Sequence, residues 1–193
     1  MSGAESARTI EAEVNEARRM GDIPALIATA RRALAQLGAV AEVSADAARV
    51  EILKACMRIS YNASADIWPG WADGIVRTPA ELAAGRDLAV QSASIVARLD
   101  QGPVQRGNAV WLIGAFDLAQ GNHAAAAAAF SEAAWLFDDE PAMRCLAQGY
   151  FGIATGGTAF DAAIAALGTL GGDDADALRD QLLTARRVMP DRG

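Results

Sequence analysis

The sequence is poor in the residues that bind metal ions or form disulfides. It contains two cysteines and one histidine in 193 residues. Cys56 and Cys145 lie far apart, neither belongs to a CxxC motif, and His123 is close to neither of them. Because structural zinc takes closely spaced Cys and His ligands, we expect no metal site. Both cysteines are expected to be buried free thiols, which is typical of a reducing cytoplasm.

Clusters of basic residues and long apolar runs are also lacking. The formal net charge is −7, and the lysines and arginines are mostly dispersed among acidic residues. Proteins that bind nucleic acid neutralise phosphates with clustered cations, so no nucleic-acid partner is expected. No apolar run approaches the ~18 to 20 residues of a membrane span, and no apolar run follows a basic region at the start. We therefore expect a soluble cytoplasmic protein without a membrane partner.

Enzyme signatures are absent in the same way. No candidate nucleophile or metal-ligand set accompanies His123 in the sequence, and the glycine-rich stretch 155–158 lacks the Lys-Ser/Thr ending of a phosphate-binding loop. The acids Asp173, Asp174 and Asp176 lack the alternation and the final Glu of a calcium-binding loop. We predict a protein that is not an enzyme and holds no cofactor.

The residues that are abundant favour helices. Hydrophobic residues make up 52% of the chain, and alanine, the strongest helix former, supplies much of that share. The β-branched residues seldom alternate with polar ones, as they would in a half-buried strand. The composition predicts one all-α domain over residues 1–193.

Turn and cap signals divide the chain into helical hairpins. Gly21-Asp22 and Gly38 mark a turn and a helix end, and Thr78-Pro79-Ala80-Glu81 is a capping-box helix start. Ser44 or Asp46 is expected to cap a helix that is apolar on two sides and therefore central. The predicted hairpins span residues 6–37, 46–100, 106–138 and 141–170, followed by a capping helix at 173–188.

One motif occurs twice. Gly114 to Gly121 and Gly149 to Gly156 both read G-x-F-x-[LI]-A-x-G, with 35 residues between their starting positions, 114 and 149. Each copy is interpreted as the end of a first helix running into a tight turn. The first glycine of each copy would let two helices approach closely, and the last would let the chain reverse direction.

The best-preserved unit, residues 107–141, resembles the tetratricopeptide repeat (TPR) family, whose unit is a helical hairpin of about 34 residues. The matching positions are Gly114, Gly121, Ala126, Phe130 and Ala133. The sequence departs from the family's pattern in three places, at Trp111, Asp117 and Ala165. The good match covers about a third of the chain. The resemblance implies a right-handed stack of hairpins, a TPR-like α-solenoid; another all-α bundle is the alternative.

In the TPR family, partners bind the concave face formed by the first helices. Mapping the two motif copies onto this pattern places six candidate binding residues on that face: Asn108, Trp111, Leu118, Met143, Leu146 and Tyr150. This set is apolar and lacks lysine and arginine, so its partner should be apolar or amphipathic and not acidic. The competing interpretation is that a neighbouring helix covers these residues as core.

Three further tryptophans are candidates for recognition. Trp68 and Trp71 flank Pro69-Gly70 and either plug one end of the core or form a recognition loop. Trp135 lies off the apolar stripe of its helix and is expected to be exposed as an anchor.

These patterns favour a non-enzymatic protein–protein interaction or scaffold module. Its partner would be a peptide or another copy of the chain. The alternative is a small-molecule-binding helical domain or enzyme with a pocket near Tyr61, Trp68 and Trp71. Its polar groups would come from residues such as Asn62, Asp66 or Asp73.

Overall fold

The computed structural model describes residues 3–189, with side chains from residue 7 onward, and this part of the chain is all-helical. The first two and last four residues of the predicted domain lie outside the described residues. The described range contains nine α-helices and one short 3-10 turn, Pro69–Trp71, joined by short connections. The helices are α1 (Gly3–Met20), α2 (Ile23–Glu42), α3 (Asp46–Ile67), α4 (Pro79–Arg98), α5 (Pro103–Ala119), α6 (His123–Leu136), α7 (Pro141–Thr155), α8 (Ala159–Leu170) and α9 (Asp173–Val188).

Two helix starts follow the predicted local chemistry. The Asp22 carboxylate accepts a hydrogen bond from the Ala25 N–H at 3.0 Å, at the start of α2. At α4, the Thr78 hydroxyl accepts from the Glu81 N–H at 3.2 Å, while the Glu81 carboxylate accepts from the Thr78 N–H at 2.7 Å. This reciprocal pair satisfies two backbone donors that the first turn leaves unpaired, so the capping box is confirmed.

The predicted end of α2 and the predicted cap of α3 are wrong, although α3 starts at residue 46 as expected. The chain stays helical through Gly38 to Glu42, because Ala41 packs into the core at 5% exposure and gives the extra turn a buried contact. Helix α3 starts at Asp46, but its N-cap is Ala45 and no side chain caps it. The Ser44 hydroxyl instead donates to the Val40 carbonyl at 2.7 Å and so belongs to the end of α2.

The helices stack in chain order. Each helix packs against the next, and each odd-numbered helix also contacts the next odd-numbered one. Helix α3 touches α1, α2, α4 and α5, which confirms its central place. Helix α9 packs on both α7 and α8, as expected of an end piece that shields the last hairpin from water. The result is an all-α stack of hairpins.

The two motif copies share their turns but not their helix contacts. Gly121 and Gly156 have φ values of 77° and 75°, so both turns use a positive φ, which glycine adopts more readily than other residues. A Cβ on Gly114 would lie 2.9 Å from the Cβ of Ala129, which confirms the predicted close approach of α5 and α6. Gly149 instead faces Leu182, so in the second copy this position accommodates α9 rather than α8.

Candidate functional site

The connection between α3 and α4 folds back onto the stack. Its 3-10 turn contacts both α5 and α9. The Trp68 side chain is fully buried, and its indole N–H donates to the Ala115 carbonyl at 3.2 Å. The Trp68 ring centroid lies 5.5 Å from that of Trp111 and 5.8 Å from that of Tyr150. Trp68 therefore fills the space beside two of the residues that were expected to form a concave binding face.

The expectation of an open apolar groove on this face is wrong. Four of the six predicted residues are core, with exposed fractions of 5% for Trp111, 0% for Leu118, 3% for Leu146 and 0% for Tyr150. The cause lies in the chain itself, since Trp68 covers Trp111 and Tyr150. From α9, the Gln181 side-chain amide donates to the Tyr150 hydroxyl at 3.3 Å.

The remaining two predicted residues, Met143 and Asn108, are half-buried. Met143 packs against the core. Of this pair, Asn108 borders an open cavity of the structure.

The two tryptophans of the connection differ in role. Trp68 acts as the predicted plug of the core. Trp71 is 44% exposed, packs edge-on against Trp68 with centroids 5.0 Å apart, and donates its indole N–H to the Ala65 carbonyl at 2.7 Å. The pair therefore leaves no open aromatic pocket between its rings.

A buried arginine fastens this connection. The Arg77 guanidinium donates to the Ile67 carbonyl and the Ile75 carbonyl, each at 2.8 Å, and to the Asp73 carboxylate at 2.6 Å. Desolvation raises the pKa of Asp73, but hydrogen bonds from Arg77 and the Ile75 N–H outweigh it and leave that pKa below its ordinary value. Asp66 is also engaged, since its carboxylate accepts from Arg18 at 3.2 Å. The acids expected to serve a pocket near Trp68 and Trp71 thus have structural partners.

A small cleft opens between α3, α4 and α5. It encloses about 160 Å³ and is partly open to solvent. We call it the α3–α4–α5 cleft. It is lined by Met57, Arg58, Tyr61, Asn62, Ser92, Val96, Gln105 and Asn108.

Several polar side chains of the cleft have no partner inside the protein. Within the described residues, the side chains of Tyr61, Asn62, Gln105 and Asn108 make no hydrogen bond. The Tyr61 hydroxyl is a donor at neutral pH, as any tyrosine hydroxyl is, and burial raises its pKa further. The cleft therefore presents free donors and acceptors beside the apolar side chains of Met57 and Val96.

Other cleft groups are already engaged. Arg58 donates to both oxygens of the Glu11 carboxylate, at 2.7 and 2.8 Å. The Ser92 hydroxyl makes a long hydrogen bond, 3.4 Å, to the Met57 carbonyl. Arg58 therefore has fewer free N–H donors for a ligand than an unpaired guanidinium would have, and its charge is already paired with Glu11.

Sequence reasoning found part of this cleft. Asn108 came from the mapped concave face, and Tyr61 and Asn62 came from the alternative pocket. The other lining residues were not predicted as site residues, because nothing local shows which faces of α3, α4 and α5 would meet: Met57, Arg58, Ser92, Val96 and Gln105.

The cysteines and the tyrosine of the core offer no evident reactive group. Both cysteines are buried free thiols, as predicted, and burial raises the pKa of Cys56 to about 11. Burial also raises the pKa of Tyr150 far above its ordinary value. Within the described range, no group of three or more His, Cys, Asp or Glu residues lies together as a metal site would require. No helix of the described residues is long and apolar enough to cross a membrane.

Comparisons with known proteins assign no family to this arrangement. No family model, no curated protein and no solved structure matches the chain.

Proposed function

We propose that the protein is a non-enzymatic interaction module that binds an apolar or amphipathic peptide segment of a partner in the α3–α4–α5 cleft. One observation carries the proposal: polar side chains without a hydrogen-bond partner line the cleft together with the apolar side chains of Met57 and Val96. The stacked hairpins and their glycine turns support a TPR-like scaffold for this cleft. The two thiols, neither in a disulfide, support a cytoplasmic location.

The volume of the cleft favours a peptide over a metabolite. Pockets for small molecules enclose about 300 to 1,000 Å³, whereas this cleft encloses about 160 Å³. A cavity of about 150 Å³ accommodates a ligand the size of benzene. The cleft thus fits one apolar side chain, and the rest of the ligand must lie along its rim.

The rim suits an extended peptide backbone. Gln105 and Asn108 lie one turn apart on α5, so both amides face the same side of that helix. Each amide offers a donor and an acceptor, which can pair with the C=O and N–H groups of a peptide. Arg58 is tied to Glu11, so the cleft holds no free cation that would select an acidic ligand.

A minimal peptide probe tests this proposal. N-acetyl-leucine N-methylamide supplies one apolar side chain between two peptide groups. At about 0.3 kcal/mol for each of its heavy atoms, it should bind with a dissociation constant on the order of 1 mM. In an NMR titration, we expect the amide signals of Tyr61 and Asn108 to shift.

Two matched variants give the control. Val96→Phe fills the cleft and should abolish the shifts, whereas Val90→Phe makes the same change at an exposed position of α4 and should preserve them. Shifts located elsewhere, or shifts that survive Val96→Phe, would contradict the proposal.

The alternative of a small-molecule site keeps only one of its three aromatic residues. Tyr61 borders the cleft, but Trp68 is core and Trp71 packs on the outside of Trp68. A thermal-shift screen of metabolites on the native protein and Val96→Phe separates the two functions. A metabolite that stabilises only the native protein would favour the small-molecule site.

A further inference from the structure

Trp135 is the most exposed of the tryptophans in the described residues. It lies on α6 with 74% of its surface exposed, while Trp68 and Trp111 are buried and Trp71 is 44% exposed. The sequence predicted this exposure, because Trp135 lies off the apolar stripe of its helix. A large aromatic residue held in water is a frequent anchor of protein–protein interfaces.

Acidic residues surround Trp135 along the chain. Glu132 precedes it by one helical turn, and Asp138, Asp139 and Glu140 follow in the α6–α7 turn, all of them exposed. The one basic residue of this stretch is Arg144, which donates to Asp138 at 3.0 Å. Residues 131–144 thus carry four acids against one base, a net charge of −3 out of −7 for the whole chain.

Local structure explains only part of this pattern. Asp139 and Glu140 stand just before α7, where acids stabilise the positive end of the helix dipole. Within the described residues, the Glu132, Asp139 and Glu140 carboxylates have no hydrogen-bond or ion-pair partner. Helix capping does not explain an exposed indole beside them.

We infer that Trp135, Glu132, Asp138, Asp139 and Glu140 form a docking surface for a basic segment of a partner protein. An arginine or lysine of the partner stacks on the indole face, and neighbouring basic residues pair with the carboxylates. Such a cation–π contact strengthens binding by about two- to thirtyfold, and opposite charges speed the encounter of the two proteins.

Charge decides against a second copy of the chain as the occupant. A two-fold symmetric contact would bring this surface, with its net charge of −3, against the same charge on the other copy. Like charges that face each other across an interface oppose association. A basic segment removes that repulsion instead of adding to it.

This surface is separate from the proposed peptide cleft. The two share no residue, although both lie near the N-terminal end of α5, where Gly107 packs on the Phe137 ring. The cleft accommodates an apolar side chain, and the Trp135 surface accommodates cations. A negative result at one site therefore leaves the proposal for the other site untouched.

The test uses a short oligoarginine peptide and its citrulline counterpart, which has nearly the same shape without the charge. Isothermal titration of the full chain is run at ionic strengths of about 0.01 M and 0.15 M, where the screening length falls from about 30 to 8 Å. We expect oligoarginine to bind, more weakly at the higher salt, and the citrulline peptide not to bind.

Variants locate the binding. Trp135→Ala should weaken oligoarginine binding by about two- to thirtyfold, and Asp139→Asn with Glu140→Gln should weaken it and flatten the salt dependence. The charge control is Asp173→Asn with Asp174→Asn, which removes two exposed acids at the start of α9 instead. Val43→Ala, at a position 86% exposed, controls for losing an exposed apolar side chain. Neither control should change the affinity.

Three results would overturn the inference. Trp135→Ala could bind oligoarginine as tightly as the native chain. The α9 charge control could weaken binding as much as the Asp139 and Glu140 changes do. Light scattering could show a dimer that Trp135→Ala dissociates, which would make a second copy the occupant. The thermal unfolding midpoint of Trp135→Ala should equal that of the native chain, because the side chain is exposed.

Discussion

Gly70 lies against the face of the Trp68 indole, so Gly70→Ala tests whether the connection is a fixed part of the core. A Cβ on Gly70 would lie 2.6 Å from Cε2 of the Trp68 ring and closer still to Cζ2 and Cη2. Carbon atoms do not approach this closely, so either the ring or the turn must move. Trp68 has little room, because it packs between Trp111 and Tyr150 with its N–H bonded to Ala115.

The expected cost follows from this packing. Forcing one extra methyl group into a well-packed core costs about 1 to 3 kcal/mol. The upper half of that range applies, since the ring can move only by losing its hydrogen bond and its aromatic contacts. For a chain of this size, a loss of about 2 to 3 kcal/mol lowers the thermal midpoint by roughly 4 to 12 °C.

Alanine substitutions at two other glycines distinguish the cost of steric overlap from the cost of backbone strain. Gly38 lies inside α2 with no atom within 4 Å of its Cβ position, so Gly38→Ala should stabilise the protein by about 0.5 to 1 kcal/mol. Gly74 also has open space, but its φ is +77°. Gly74→Ala should therefore cost about 1 to 2 kcal/mol from backbone strain alone.

Urea unfolding followed by tryptophan fluorescence and by circular dichroism measures all three variants. Native Gly70→Ala should also emit at longer wavelength than the native chain, because the displaced Trp68 ring meets water. An unchanged emission spectrum together with a midpoint equal to that of Gly38→Ala would refute the reasoning.

Three shorter predictions test other parts of the fold. The Asp117 carboxylate, 5% exposed, accepts from Arg86 at 2.8 and 3.2 Å, and Asp117→Asn should cost about 1.5 to 3 kcal/mol in urea unfolding. A double-mutant cycle with Arg86→Ala should show coupling, and strictly additive losses would contradict it. Burial raises the pKa of Cys56 to about 11, so above pH 9 the folded thiol keeps a proton that the unfolded chain loses. Stability should therefore fall by about 2 to 3 kcal/mol as pH rises from about 9 to 11, and Cys56→Ala should lack that part of the slope. Gly149→Ala should loosen α9, since its Cβ would overlap the Leu182 methyl groups, and it should cost less in a Leu182→Ala background.

Features set by neighbouring residues were predictable. The Asp22 cap, the Thr78 capping box and the turns at Gly121 and Gly156 each depend on a few adjacent residues, and all four appear in the structure. The end of α2 was missed for the opposite reason. Gly38 is a good local stop signal, but burial of Ala41 contributes more than the local preference does.

The burial of Trp111 and Tyr150 could not be predicted from the repeat pattern. A repeat pattern assigns Trp111 and Tyr150 to a face of a helix, but it does not say which residue covers that face. The cover is Trp68, which comes from an irregular connection outside the repeat. Asp117 is a similar case: it stands where the resembled family has an aromatic, and its partner Arg86 comes from the preceding helix.

Because Trp68 covers the face of Trp111 and Tyr150, the two proposed binding surfaces lie on other parts of the protein. Trp68 covers the aromatic face, and Arg77 bonds to the carbonyl group of Ile67 beside it, so a partner would have to break those contacts before it could bind there. At the α3–α4–α5 cleft and at Trp135, a ligand displaces only water. Binding free energy is then not spent on disrupting the fold, and an exposed anchor can bind as soon as the two proteins meet. Partners are therefore expected to select accessible groups that the chain leaves unpaired, such as the amides of Gln105 and Asn108 and the indole of Trp135.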